Sequence, residues 1–466
     1  MFQKINKKHL KKLLELAPKG VFFDEETRAQ FGSDETEDFI FIPEVVVKPK
    51  NTDEVVAVMK WCYANHIAVT PVGARTGLSG GALTVCGGVA LSMEYFDRII
   101  HIDEDNLQVT VEPGVITQVL QEAVAKKNLF YPPDPASRGS CFIGGNVAEN
   151  SGGPKAVKYG VTSDYVLNLE LVLPNGEVIW TGANVLKNAT GYNLTQLLVG
   201  SEGTLGVITQ IVLRLIPLPR ENKLMLVPFQ QAEDACRAVA AIFKAGIVPS
   251  AMEFMERDAL IFTTQFLKES PVKIAENDAA HLLIELDGND ADQLMMEMEK
   301  LFAVLEAYPT NEVLLAETTA QKEALWQMRR KVGEAVKANS VYKEEDTVVP
   351  RYELVNLLKG VKEIGRKYGF QSVCYGHAGD GNLHVNILKG SLSDEDWNTK
   401  LKEAIRAIFE LTASLGGTIS GEHGIGFVQR EFLDIVFTKT QLELMKKIKG
   451  VFDPKGIMNP GKIFMD

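Results

Sequence analysis

The sequence predicts an α+β protein of at least two domains, and three observations carry that expectation. At 466 residues the chain is longer than one compact core organises. Its first half alternates apolar strands with helices and glycine-rich loops, whereas its second half turns to helices rich in Glu, Met and Lys separated by apolar strands. A β-rich run from Gly206 to Leu218 ends at Pro217 and Pro219, which marks the boundary between the halves.

Taken in order, a short amphipathic start gives way near Pro43 to Val45-Val46-Val47, a strand. Asn51-Thr52-Asp53-Glu54 then supplies a helix N-cap, since an Asn side chain accepts from the amides that a first helical turn leaves unpaired. Strand followed by helix opens an α/β unit. Leu169-Glu170-Leu171-Val172-Leu173, the turn Pro174-Asn175-Gly176 and Val178-Ile179-Trp180 read as a hairpin. Beyond the boundary, His281 to Leu286 is a strand, and Ser391 to Gly416 is one helix capped near Ser393 and stopped at Gly416-Gly417. The end of the chain, Phe452-Asp453-Pro454-Lys455 with Asn459-Pro460-Gly461-Lys462, is a turn-rich tail expected to return to the first half.

Composition narrows the function. Hydrophobic residues at 45% and charged residues at 24% are those of an ordinary soluble globular protein. A net charge of -12 argues against a nucleic-acid partner and against attraction to an anionic membrane, so a small anionic substrate needs a local basic pocket. Cys62, Cys86, Cys141, Cys236 and Cys374 are scattered and odd in number, which suggests neither a disulfide framework nor a thiolate zinc site. The basic start Met1-Phe2-Gln3-Lys4 leads into no apolar signal region, and no apolar run is long enough to span a bilayer. The expected location is the cytoplasm, either free or peripheral to the inner membrane.

Chemistry concentrates in the last hundred residues. His377-Ala378-Gly379-Asp380-Gly381-Asn382-Leu383-His384-Val385-Asn386 is followed by Gly421-Glu422-His423-Gly424. A two-residue turn at Asp380-Gly381 would set His377 directly opposite His384, with Cβ atoms about 5 Å apart, close enough for two imidazoles to share one metal ion. Asn386 falls on the same face. Two histidines with a carboxylate describe an open, catalytic metal site. Isolated histidines and Asp-Gly turns are common, and it is the agreement of turn, spacing and Glu-His pair that favours the metal.

A second signal is Pro71-Val72-Gly73-Ala74-Arg75-Thr76-Gly77-Leu78-Ser79-Gly80-Gly81-Ala82, where glycines let backbone N–H groups converge on an anion. It is neither a Walker loop nor Gly-x-Gly-x-x-Gly, and alone it is equally a surface loop. Pro133-Asp134-Pro135 with Gly144 to Pro154, and Gly200 to Thr209, are further stretches of small residues where backbone could lie flat against a planar ring.

In order and spacing these segments resemble the flavin-binding domain of the vanillyl-alcohol oxidase, or PCMH, type. From about Pro43 onward the chain resembles the glycolate oxidase and D-lactate dehydrogenase (cytochrome) group of FAD-linked oxidases. The resemblance implies an N-terminal helical segment at 1–42, an FAD-binding PCMH-type domain of two α/β subdomains at 43–218, an α+β cap domain with antiparallel sheet and helices at 219–420, and a segment returning to the FAD domain at 421–466. It implies oxidation of a D-2-hydroxy acid, D-lactate or glycolate, by hydride transfer to flavin.

Carried over by residue, Pro71, Gly73, Arg75, Thr76, Gly77, Leu78 and Ser79 match the pyrophosphate loop. Pro133, Asp134, Ser137, Gly144, Gly145, Asn146, Ser151 and Gly152 match a flavin-lining segment, and Glu202, Gly206 and Ile208 a later one. His377, His384 and Glu422 match metal ligands, commonly zinc in relatives. His423 matches the general base, Asn386 a substrate contact and Arg329 the anchor of the substrate carboxylate. Relatives acting on D-2-hydroxyglutarate carry Thr and Lys where this chain has Gly333 and Glu344, which argues against a second-carboxylate pocket. The loop lacks a flavin-tethering histidine, so the FAD is expected to be non-covalent. Electrons would pass to a quinone, a cytochrome or a flavoprotein or iron–sulfur partner. A D-2-hydroxyglutarate dehydrogenase, a non-redox FAD enzyme of the alkylglycerone-phosphate synthase kind and a flavin subunit of an electron-transfer complex stay open as alternatives, as does a homodimer. A 2-His-1-carboxylate iron oxygenase leaves the glycine-rich loops unexplained.

Overall fold

Local signals decide where the elements begin. In a computed structural model of the chain, which describes residues 2–36, 39–268 and 272–465, Asn51 Oδ1 accepts from the Glu54 amide and starts the helix Thr52–Asn65. Ser393 does the same for Asp394–Ser414, accepting from Asp396 N, and Gly416 beyond that helix takes φ +80°. The hairpin of Val166–Val172 with Val178–Trp180 forms as read from its turn, with Glu170 opposite Trp180.

The chain divides into two compact units: Met1–Gly152, Val161–Leu218 and Glu422–Asp466 make the first, Gly153–Gly160 and Pro219–Gly421 the second. In the first, a four-stranded sheet runs in the order Val21–Phe22, Val45–Val47, Val89–Ser92, Val69–Val72. Its last three strands are parallel and nearly all apolar, as sheets covered on both faces are. Residues 1–42, expected as a helical segment, contribute the helix Lys7–Leu16 and also the edge strand Val21–Phe22 of this sheet. A five-stranded antiparallel sheet follows, in the order Ile99–Asp103, Gln108–Val111, Val207–Arg214, Val166–Val172, Val178–Trp180. The C-terminal tail is stitched in: Met458 bridges Val69, Asn459 Nδ2 donates to Gly81 and Glu202 carbonyls, and Lys462 Nζ donates to the Leu83 carbonyl.

The second unit is built on a seven-stranded antiparallel sheet in the order Leu314–Ala316, Glu221–Phe229, Ala280–Gly288, Ala251–Glu256, Gln371–Gly376, Asn382–Leu388, Tyr342–Val348. Helices pack on it through residues such as Leu260, Met328 and Val332. Residues Gly153–Gly160 join this unit by charge, Lys155 Nζ standing 2.6 Å from Glu285 and Lys158 Nζ 2.6 Å from Asp287. No sequence signal had separated them from the glycine-rich half.

Candidate functional site

The first unit contains a cavity built by all three small-residue segments. Pro71, Gly73, Arg75, Thr76, Gly77, Leu78 and Ser79 line it, with Ser137, Gly144, Gly145, Asn146 and Ser151 from the second segment and Glu202, Gly206 and Ile208 from the third. Pro133, Asp134 and Gly152 are not among its lining residues. The Pro133 carbonyl is taken by Gln121 Nε2 at 2.9 Å, so that residue shapes the segment behind the wall. Glycine at 152 leaves room for Glu422, whose Oε2 is 3.3 Å from where a Cβ would stand.

Two observations show a cavity wall open to a ligand, as a bound dinucleotide would require. Nothing lies within 4 Å of a Cβ placed on Gly77 or Gly145, so backbone is open to a ligand there. Ser79 Oγ is buried without a hydrogen-bond partner, an unspent donor at the wall. Arg75 adopts φ +60° and lays its guanidinium 4.2 Å from the Phe31 ring centroid. Glu202 does more than line the wall: its carboxylate accepts from Ile425 N at 2.9 Å and Gly426 N at 2.6 Å and so fixes the tail. Burial pushes Glu202 up to about 7, against those two amides, and burial followed by the Glu202 charge holds Glu149 well above the ordinary carboxylate range. Glu422 and His423 belong to this unit and line the same cavity.

The second unit places Arg329, His384 and Asn386 around one aromatic ring, with His377 beside His384. Tyr375 pairs with His384 across the sheet and stacks on it, ring centroids 5.2 Å apart at 20°. This corrects the expected register, which set His377 opposite His384. The connection after His377 is a four-residue turn rather than the two-residue turn at Asp380-Gly381: Asp380 N and Asn382 N both reach the His377 carbonyl. Gly381, at φ +88°, closes it where a Cβ would meet the Val349 carbonyl. The two histidines are diagonal neighbours on one face instead, with ring centroids 5.5 Å apart at 79°.

Each imidazole is backed by a carboxylate. His377 Nδ1 meets Glu253 Oε1 at 2.8 Å and Oε2 at 2.9 Å, and His384 Nδ1 lies 2.9 Å from Glu344 Oε1, close enough for charge pairing though without hydrogen-bond alignment. Carboxylates behind histidines are the usual support of metal ligands, because they fix the tautomer and aim the other nitrogen. Sequence reasoning missed Glu253 and Tyr375. The available signal for the first was a carboxylate in the apolar strand Ala251–Glu256, which is seldom buried unless paired.

Arg329, on the helix Thr319–Arg330, is 6% exposed, and its Nη2 stands 2.6 Å from Glu253 Oε2. That contact is an ion pair by distance only, since neither Nε nor Nη2 has an aligned acceptor. Asn386, wholly buried, has no aligned hydrogen bond at Oδ1 or Nδ2, with the Tyr375 hydroxyl as its polar neighbour. Unspent donors and acceptors at this density are rare in a protein interior and mark where a ligand would satisfy them.

Comparison with known proteins agrees in kind with both units. The FAD binding domain family matches residues 43–182, and the family of FAD linked oxidases, C-terminal domain, matches 218–463. The chain is 38% identical to the glycolate oxidase subunit GlcD of Bacillus subtilis, over 94% of this chain and 92% of the relative. It is 38% identical to a D-lactate dehydrogenase of Anaerostipes hadrus over 99% and 98%, and 34% identical to a D-2-hydroxyglutarate dehydrogenase of Stutzerimonas stutzeri over 98% of each. Among solved structures, p-cresol methylhydroxylase superposes with a TM-score of 0.77 at 16% identity, covering 98% of this chain and 96% of that one. An alkyldihydroxyacetonephosphate synthase does so with 0.76 at 17%, covering 99% and 86%. The structural likenesses give a PCMH-type fold.

Proposed function

The chain belongs to the FAD-linked oxidases, and from that membership we propose that it oxidises a small D-2-hydroxy acid, D-lactate or glycolate, to the 2-oxo acid. The observation that carries the substrate reading is the buried guanidinium of Arg329 with unspent donors. A planar fork of N–H groups matches a carboxylate bidentately, and the substrate's acid end would take the place that no acceptor fills. Asn386, one sheet position from His384 on the same face, would bind the α-substituents with its open amide.

His377 and His384 would hold a divalent metal, zinc among the candidates, and the fit is supported by the carboxylate behind each Nδ1. Such an ion supplies Lewis acidity that lowers the pKa of the hydroxyl. The roles of Glu422 as a further ligand and His423 as the base that takes the hydroxyl proton rest on the family resemblance. FAD supplies the two-electron chemistry and the protein the orientation and charge. The pyrophosphate loop from Gly73 to Ser79 would hold it without a covalent link.

Glu344 and Tyr375 favour a monocarboxylate over a diacid. Gly333 lies where a side chain would stand 3.1 Å from the Tyr375 hydroxyl, so the phenol takes that space, and Glu344 contributes negative charge beside it. The electron acceptor is proposed to be a separate quinone, cytochrome or flavoprotein or iron–sulfur carrier. Among the described residues no helix is long and apolar enough to cross a membrane.

Anaerobic visible spectroscopy tests the reading. D-lactate or glycolate should bleach the flavin, L-lactate should not, and chelation should abolish the bleaching. A yellow protein that no hydroxy acid bleaches would instead indicate a non-redox enzyme or an electron-transfer subunit.

A further inference from the structure

One carboxylate serves both halves of the substrate face in the second unit. Glu253 is fully buried on the strand Ala251–Glu256. Phe254 pairs with Gly376 and Met255 with Tyr375, so continuing the antiparallel register one step sets Glu253 across from His377. Its Oε1 and Oε2 both meet His377 Nδ1, at 2.8 and 2.9 Å, and Oε2 also stands 2.6 Å from Arg329 Nη2.

We infer that Glu253 is a positioning residue that aims the metal-ligating nitrogen of His377 and the carboxylate-binding fork of Arg329 at once, coupling metal affinity to substrate affinity. A carboxylate facing a permanently charged guanidinium is an acceptor only. The proton between Glu253 and His377 therefore sits on Nδ1, and Nε2 carries the lone pair that a metal needs. The same oxygen that fixes the ring draws in one edge of the guanidinium, whose Nε and Nη2 keep hydrogen-bonding capacity for a ligand. Burying an unpaired charge is costly, so replacing either Arg329 or Glu253 alone also lowers stability.

The inference rests on the metal and substrate reading above, and the test separates their failures. FAD-loaded full-length protein is stripped with a chelator and back-titrated with zinc against a chromophoric competitor, and pyruvate affinity is measured on the metal-free form through perturbation of the flavin spectrum. Glutamine keeps the shape of Glu253 but loses the charge that pairs with the guanidinium and puts an NH2 group at one of the two oxygen positions that face the ring and the guanidinium, so one of them must shift. Glu253→Gln is expected to weaken zinc by about 10–100-fold, the usual loss when a ligand's support is removed, and to weaken pyruvate by about ten-fold through the lost bidentate alignment. His377→Ala is the benchmark. If it weakens zinc while Glu253→Gln leaves zinc or pyruvate within about two-fold of wild type, the coupling is overturned although the metal reading stands. If His377→Ala leaves zinc affinity unchanged, both fail. Should Glu253→Gln not fold, nitrogen NMR of histidine-labelled wild-type protein decides: His377 neutral with its proton on Nδ1 is expected, and a proton on Nε2 overturns the inference.

Discussion

Arg329 lies over the face of Tyr375, its guanidinium carbon 5.0 Å from the ring centroid, so the ring that stacks on His384 also carries the arginine. Stacking fixes the plane of the fork and leaves its edge for a carboxylate. Arg329→Met should lower kcat/KM for D-lactate by about 100-fold, as loss of a charge-assisted pair of about 3 kcal/mol implies. Arg329→Lys should recover little of it, because a point charge replaces a planar fork. Tyr375→Phe keeps the stack and should cost far less than Tyr375→Leu. Steady-state rates with an artificial dye acceptor measure all four.

Glu344 sets the charge of the wall. Its carboxylate takes the Tyr375 hydroxyl at 3.4 Å and pairs with His384 at 2.9 Å. A like charge some 8 Å from a second substrate carboxylate costs about 2 kcal/mol at an effective dielectric constant near 20, roughly thirty-fold in discrimination. Glu344→Gln should therefore raise the ratio of kcat/KM for D-2-hydroxyglutarate to that for D-lactate by an order of magnitude. A ratio that does not move would show that Glu344 plays no part in selectivity.

The contrast between what was legible and what was not follows from how each feature is encoded. Caps and turns are local, so Asn51, Ser393 and the turn at Pro174-Asn175-Gly176 announced their elements. The glycine segments announced the cavity because only small residues let backbone face a ligand. The turn after His377 departs from the expected one because Asp-Gly suits a two-residue hairpin, whereas Gly381 is held by its approach to Val349, just past the strand Tyr342–Val348. Glu253 is 124 residues from His377 and 76 from Arg329; strand register, which no motif records, sets it across from His377, and Arg329 reaches it from the helix Thr319–Arg330. Gly153–Gly160 changed units for the same reason, through charges on Glu285 and Asp287.

Stability should depend on pH through the buried groups beneath the cavity. Glu202 is pushed from 4.5 up to about 7 by burial. Between those values the folded chain keeps a proton that the unfolded chain has released, so stability falls as pH rises through that window. Lys462 is lowered from 10.5 to about 8 by burial, so the unfolded chain holds the extra proton and stability rises again from about 8 to 10.5. The contribution of the two groups is lowest between about 7 and 8. Thermal melts across pH should show Glu202→Gln flattening the acid limb and Lys462→Met the alkaline limb.

The flavin should leave the protein on acid denaturation. The histidine and cysteine lining the cavity are His423, proposed as the base for the substrate hydroxyl, and Cys141. Burial holds the Cys141 thiol above its ordinary value, and Thr117 Oγ1 contacts its sulfur at 3.3 Å, so the thiolate needed for a covalent link is disfavoured. After acid precipitation the yellow colour is expected wholly in the supernatant, and a yellow pellet would overturn the non-covalent assignment.

Gly424 explains why the Glu-His pair is followed by glycine. It has φ +79°, and a Cβ there would meet Glu149 Oε2 and stand 3.1 Å from Glu202 Oε1. Alanine must therefore adopt a left-handed conformation, at about 1–2 kcal/mol, and displace a buried carboxyl whose Oε2 has no hydrogen-bond partner to hold it in place. Moving Glu149 or Glu202 would disturb the cavity wall and the amides of Ile425 and Gly426 together. Gly424→Ala should destabilise the protein by about 2–4 kcal/mol, the range for overpacking with backbone strain, and lower its FAD content on purification. Gly450 is the matched control, because it sits within the helix Lys439–Phe452 with nothing within 4 Å of its Cβ position. Gly450→Ala should instead stabilise by up to about 1 kcal/mol through helix propensity. Equal melting temperatures and flavin content for the two variants would refute the packing of Glu149 and Glu202 against residue 424.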